Sequence, residues 1–296
     1  SEGLEKFAGD RLRNILSSMT RNRVMGVFTG ILVTALIQSS SATTVMVVSF
    51  VNAGLMTLAQ SIGVIMGANI GTTVTAWIIS AIGFKVNIAA FALALLAIGI
   101  PLIFSSKSKR KSVGEFIFGF SFLFMGLSYL QVNAEALKIG DIVANLLAGW
   151  AGSGGFLTIL LFVFVGAFTT MIVQASAATM AITLMLFDMN IPGFGFELAA
   201  ALAMGQNIGT TITAFLASLT ANTQARRAAL AHMFFNVFGV VIILVMFHPF
   251  CDAVTWFVIN VMHAGDNDLF RLSAFHSAFN IFNTLTLIWF VKQIET

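Results

Sequence analysis

The chain has little charge, one cysteine and no charged residue at its most polar places. The single thiol, Cys251, excludes an internal disulfide framework and a cysteine-built metal cluster. Charged residues make up 9% of the 296 residues, against roughly 25% in soluble domains. With 58% hydrophobic residues and a mean hydropathy of +0.96, one buried core is excluded. Many segments must face lipid, or each other within lipid. A pI near 9.3 does not point to nucleic acid, because the charges sit in short segments between apolar runs. No cleavable signal peptide is visible, and residues upstream of Ser1 are expected.

What is present is a set of apolar blocks with polar centres. Residues 1–23 read as an amphipathic helix lying at the interface. Val24–Leu58 is apolar on both sides of Gln38-Ser39-Ser40-Ser41-Ala42-Thr43-Thr44. Each side is too short to cross alone, which predicts a re-entrant helical hairpin with its tip in protein or a watery cavity. Ser61–Phe84 reads as a crossing broken at Gly67-Ala-Asn-Ile-Gly-Thr-Thr73. Segments 87–104 and 113–130 cross next, around a basic loop at 105–112, and 131–155 reads as an extramembrane connection. The pattern then restarts. Phe156–Phe187 is a second hairpin around Gln174-Ala-Ser-Ala-Ala-Thr179. Segment 196–219 is a second crossing broken at Gly205-Gln-Asn-Ile-Gly-Thr-Thr211, and 228–247 and 269–290 also cross.

The repeat is direct. Met66–Ala76 and Met204–Ala214 are identical at nine of eleven positions. Gln38 precedes Asn69 by 31 residues, and Gln174 precedes Asn207 by 33. Three crossings separate the hairpins, so the second copy is expected upside down. Loop charges test this. With loop 105–112 in the cytoplasm, Arg21, Arg23, Arg226, Arg227 and Lys292 fall on the same side. Glu135, Asp141, Asp188, Glu197, Asp252, Asp266 and Asp268 fall outside, with Lys85, Lys138 and Arg271. The expected fold is an all-α polytopic membrane protein of two inverted-topology repeats, 24–130 and 156–296. Each carries a re-entrant hairpin and a broken transmembrane helix.

Inverted repeats of this kind place a site near the midplane, where the copies meet. Helix breaks offer N–H groups and positive dipole ends to an anion. They also offer carbonyl oxygens which, with Gln, Asn, Ser and Thr oxygens, suit a hard cation such as Na⁺. A proton relay would need a buried ionisable group, and its absence from these centres favours Na⁺ over H⁺ coupling. Packing alone is the bland alternative for Ser, Thr and Gly in membranes. Arg227-x4-His232-x3-Asn236 and Arg271-x4-His276-x3-Asn280 form a further pair. They fit interhelical hydrogen bonds, or positioning of the broken helices. His248 and His263 read as interfacial, and no serine has a base and orienting acid for nucleophilic chemistry.

These motifs, with Ala231-His-Met-Phe-Phe-Asn236 and Phe275-His-Ser-Ala-Phe-Asn280, resemble the type II sodium-phosphate cotransporter family, in its bacterial type. The resemblance implies a carrier, not an enzyme. Inorganic phosphate is the substrate, Na⁺ the coupling ion, and no cofactor or transition metal takes part. The protein is then integral to the plasma membrane. Phosphate is expected between the tips at Gln38, Ser39, Ser40, Ser41, Gln174, Ala175 and Ser176. Na⁺ is expected at Ser40, Thr43, Asn69, Thr72, Thr73, Ser176, Thr179, Asn207, Thr210 and Thr211. The second motif departs from the family's Gln-Ser-Ser-Ser, since Ala175 and Ala177 carry no hydroxyl. A missing N-terminal helix and a missing regulatory domain are expected from the same likeness. Rival readings are a carrier of sulfate or a carboxylate, a phosphate exporter or sensor, and a channel.

Overall fold

A computed structural model describes residues 18–83, 88–150, 155–265 and 267–295. Their regular structure is helical, with no strand among the described residues. The amphipathic helix expected at 1–23 lies outside them over residues 1–17.

Helix α1 (Arg23–Ile37) starts where the Asn22 side chain accepts from the Met25 N–H at 2.8 Å. It ends at Gln38, which takes a left-handed conformation (φ 58°) and donates its N–H to the Thr34 carbonyl. Helix α2 (Ser40–Asn52) follows at once, capped by the Ser39 hydroxyl. Helix α3 (Leu58–Gly71) opens with a reciprocal box between Thr57 and Gln60. Helix α4 (Thr73–Ile78) runs into a π-helical turn, Ile79–Gly83. Then come α5 (Ile88–Ile103), α6 (Ser108–Ala136) and α7 (Ile139–Trp150).

The second copy begins with α8 (Phe156–Val173). It ends at Gln174, again left-handed (φ 54°), and α9 (Ser176–Asp188) follows. Helix α10 (Phe196–Ser218) precedes α11 (Thr223–Val245), which the Asn222 side chain caps. The chain closes with α12 (Phe247–Asn260), α13 (Asp268–Leu287) and the short α14 (Val291–Glu295).

The structure corrects the expectation of broken helices at the Asn-Ile-Gly-Thr-Thr motifs. Helix α10 runs without interruption through Gly205–Thr211. The first motif shows only a slight seam at Thr72, whose backbone stays right-handed helical (φ −64°, ψ −23°). The glycines serve contact instead. A Cβ at Gly67 would strike the Val27 carbonyl, and one at Gly205 would strike the Val163 carbonyl. A Cβ at Gly30 would strike the Val64 carbonyl, and one at Gly166 the Leu202 carbonyl. Glycine lets α1 lie on α3, and α8 on α10, backbone to backbone. The threonine hydroxyls are satisfied by bonding back along the chain. Thr73 donates to Ile70 O at 2.8 Å, and Thr211 donates to Ile208 O at 2.7 Å.

Two further differences concern length. Helix α8 has 18 residues at a mean hydropathy of 2.5, enough to cross by itself, whereas two short legs were expected. Helix α12 occupies a stretch expected to hold no element, and buries Phe247, Cys251, Val254 and Val258. Among the described residues, five helical runs are long and apolar enough to span a membrane: 58–82, 109–136, 156–173, 223–245 and 268–294. Their outward faces are apolar and exposed, as at Phe116, Phe164, Ile172 and Val241. In a polytopic membrane protein, that surface meets lipid.

Three packed clusters hold the helices. One joins α1, α2 and α3 to α11. A second joins α4, α6 and α9 to α10. A third joins α8, α10, α12 and α13 around Phe275 and Phe279. Charged groups sort by end. Arg23 donates to Ile288 O at 3.1 Å, and Asn52 at the end of α2 accepts from Asn222 N at 2.7 Å. That end carries Arg226 and Arg227 on the first turn of α11. At the other end, His248 meets Glu197 at 2.7 Å and Arg271 meets Asp268 at 2.6 Å. Arg271 also lies 4.9 Å over the Phe196 ring, an interfacial arginine as its sequence position implies.

Candidate functional site

The site is built from the two Gln turns and the helices crossing behind them. At the first turn, the Gln38 amide is held on both sides. Its nitrogen donates to Ala35 O at 2.6 Å, and its oxygen accepts from Thr75 Oγ1 at 2.9 Å. Ser39 Oγ accepts from the Ala42 N–H at 3.2 Å. Buried Ser40 accepts from Thr72 Oγ1 at 3.2 Å, which ties the turn to the α3–α4 seam. Ser41 is half-buried, and its carbonyl accepts from Thr44. Thr43 accepts from Thr34 at 3.1 Å.

The second turn repeats the backbone and loses side chains. Thr170 donates to Thr179 at 3.1 Å, as Thr34 does to Thr43. Ala175 holds the cap position with no side-chain bond, and Gln174 and Ala175 are exposed. Ser176 is half-buried. Thr210 turns its hydroxyl back to Gln206 O at 2.9 Å. Thr73, Thr210 and Thr211 thus donate their hydroxyl protons within their own helices and keep only lone pairs for a ligand.

Behind each turn stands an asparagine held by a histidine. His232 Nε2 lies 3.2 Å from Asn69 Oδ1, and His276 Nε2 lies 3.2 Å from Asn207 Oδ1. Asn236 and Asn280 donate to the carbonyls of His232 and His276, at 2.9 and 2.8 Å. The two late sequence pairs are therefore used identically, one on each copy. In each, the asparagine Nδ2 and the histidine Nδ1 are buried without a partner. A buried donor left unmatched costs about 1–3 kcal/mol. The same cost arises in both halves, at equivalent atoms, beside equivalent turns. Such groups mark places for water or a ligand.

Where the halves meet is a cavity of about 10 Å³, room for one water or a bare monovalent ion. Thr72 and Thr75 line it from the first copy, and Ser176, Gln206, Asn207 and His276 from the second half. It is too small for a tetrahedral oxyanion, so this arrangement is closed. Thr43, Thr73, Thr179, Thr210 and Thr211 are buried around the turns but do not line it. Gln206 was not among the residues the motifs singled out. Its signal was available, because it replaces Ala68 within an otherwise matching motif. An apolar cavity of about 470 Å³ lies among α7, α8, α9 and α10 and is walled by Leu147, Phe162, Leu186 and Leu202. Its lining suits hydrocarbon and not an inorganic ion.

The two turns give the chemistry. Each places the N-terminus of a 13-residue helix, with its free N–H groups and positive dipole end, at a polar centre without formal charge. Hydroxyl and amide oxygens lie within the same few residues. An anion and a hard cation can be held together there, each neutralising part of the other's charge.

Fold and centre define an integral membrane protein of the polytopic helical class, with a duplicated polar centre. Residues 1–132 match the family described as Na⁺/Pi-cotransporter, and the resemblance carried by the paired motifs is borne out. The chain is 29% identical over 251 residues to a Salmonella typhimurium protein provisionally named inorganic phosphate export protein YjbB. That match covers 84% of this chain and 44% of the other. The uncharacterised protein YqeW of Bacillus subtilis is 29% identical, over 87% of this chain and 78% of its own. Human sodium-dependent phosphate transport protein 2B is 47% identical over 75 residues, 25% of this chain and 11% of its own. The chain spans under half of the YjbB relatives' length. No solved structure matches it.

Proposed function

We propose that the chain is the membrane core of a Na⁺-coupled carrier of inorganic phosphate, working by alternating access in the plasma membrane. The observation that carries this is the duplicated, uncharged turn: two left-handed glutamines, each followed by a helix N-terminus beside a histidine-held asparagine. Phosphate would take the N–H groups of the two turns with Gln38, Ser39, Ser40, Ser41, Gln174 and Ser176. Ala175 can offer only backbone. Na⁺ would take oxygens of the Thr72 and Ser176 group, where the closed cavity fits one ion.

Inverted, re-entrant repeats are supported by which ends meet. The legs of the first pair start and stop beside Arg23 and Asn222. The start of α8 and the segment after α9 lie beside Glu197 and His248. The pairs therefore open toward opposite ends. That the closed cavity cannot hold phosphate agrees with a cycle in which the turns part to load. The family's description and the names of its animal members support phosphate and Na⁺ as the transported pair.

The export named for the YjbB relatives favours a second reading, outward flux. A carrier reconciles both, since its direction follows the dominant gradient. The test is radiolabelled phosphate uptake by proteoliposomes. Gln38→Ala and Ser40→Ala should each abolish uptake while the protein still elutes as a folded species. Full uptake by both variants would reject this site, and equal competition by sulfate would reject phosphate selectivity.

A further inference from the structure

The two copies of the eleven-residue motif differ at two positions. One exchange is Val74 for Ile212; the other sets Gln206 against Ala68. The second places an amide where the first copy has a methyl. Gln206 is 4% exposed, yet its oxygen has no partner.

The amide's orientation is fixed by its nitrogen. Nε2 donates to the Thr179 carbonyl at 3.1 Å and to Thr183 Oγ1 at 2.6 Å. A carbonyl oxygen only accepts, so the flipped amide would set oxygen against oxygen. Gln206 lines both the 470 Å³ apolar cavity and the 10 Å³ cavity at the seam. Thr179 and Thr183 line the apolar one and not the small one. The nitrogen is thus spent on the apolar side, which leaves the oxygen to the seam.

The seam's other oxygens are arranged as acceptors. Thr75 gives its proton to Gln38 Oε1 and Thr72 gives its proton to Ser40. Both face the cavity with lone pairs. The acceptors of Thr72, Thr75 and Gln206 outnumber the unpartnered Asn207 Nδ2 donor in the same lining, which suits a cation or a donating water.

We propose that Gln206 is an oxygen ligand for a single Na⁺ at this seam, together with Thr72, Thr75 and Ser176. It supplies the second half with an oxygen where Ala175 and Ala177 supply none. The inference rests on the Na⁺ reading above and adds a ligand that no repeated motif predicts. The corresponding place in the first copy, Ala68, offers no such oxygen, so ion binding is unequal between the halves.

The test separates this from the wider reading. Thermal unfolding of the purified full chain is followed in NaCl against KCl at equal ionic strength, without phosphate. Na⁺ alone should raise the midpoint of the wild-type protein in a saturable way. Gln206→Ala should need at least tenfold more Na⁺ for the same rise. Gln206→Met keeps the side-chain volume without the oxygen, and carries the test if the alanine variant does not fold. In proteoliposomes, the same variants should raise the Na⁺ concentration for half-maximal phosphate uptake at least tenfold. If Na⁺ stabilises the wild type and both variants equally, Gln206 is no ligand and Na⁺ coupling stands. If K⁺ serves as well as Na⁺ in the wild type, the seam holds water, and the Na⁺ reading falls with the inference.

Discussion

Ala175→Ser should make the protein harder to unfold, and Ser39→Ala should make it easier. Both residues cap a 13-residue helix with nearly the same backbone: φ −147°, ψ 104° at Ser39 and φ −136°, ψ 93° at Ala175. At Ser39, the hydroxyl accepts from the Ala42 N–H at 3.2 Å. At Ala175 there is no hydroxyl, and the Ala178 N–H falls back on the Ala175 carbonyl at 3.1 Å. The Thr179 N–H uses that carbonyl too, also at 3.1 Å. A serine would relieve this sharing. Ala175 is exposed, so a hydroxyl has room. Losing a serine cap costs about 1 kcal/mol, and gaining one where the donor is half-satisfied gives about 0.5–1 kcal/mol. For a chain of this size, 1 kcal/mol moves the midpoint by roughly 2–4 °C. Thermal unfolding in detergent, read by tryptophan fluorescence, measures both. An unchanged or lowered midpoint for Ala175→Ser would refute the equivalence of the two turns.

Three further outcomes follow from the packing. Gly205→Ala should cost about 1–3 kcal/mol or more, because its Cβ meets the Val163 carbonyl, whereas Gly119→Ala meets nothing within 4 Å and should be neutral or stabilising. Denaturation midpoints of the two variants give the comparison. His232→Ala and His276→Ala each free one asparagine oxygen in the same geometry, so each should cost about 1–3 kcal/mol and the two should agree closely. Burial and the carboxylates of Glu197 and Asp252 push the Cys251 thiol up to about 12, so at pH 8 only about one molecule in 10⁴ is thiolate. Maleimide labelling of the folded protein should be very slow and become fast on denaturation.

The sequence made the doubling legible because both motifs keep order and spacing, and the pairs His232–Asn69 and His276–Asn207 complete what the late repeat implied. The expected helix breaks are absent from α10 and reduced to a seam at Thr72 for a definite reason. Gly67, Gly71, Gly205 and Gly209 look like breakers within their own segments. Their use depends on Val27, Ile31, Val163 and Ala167, whose backbones lie about forty residues away in sequence. The turns at Gln38 and Gln174 fall inside the polar centres that the sequence marks, although glutamine has no particular liking for a left-handed backbone, so polarity and not local propensity located them. Helix α12 was hidden because Phe247–Asn260 mixes His248, Pro249 and Asp252 with its apolar residues. Gln206 is marked in the sequence only by its difference from Ala68, which a repeat's shared residues do not reveal.

Coupling remains the central claim, and one measurement addresses it directly. Proteoliposomes holding the full chain are given radiolabelled phosphate with an inward Na⁺ gradient, or with K⁺ in its place. A Na⁺-coupled carrier gives saturable uptake that rises above equilibrium with Na⁺ and stays near background with K⁺. Equal uptake in the two conditions would contradict it.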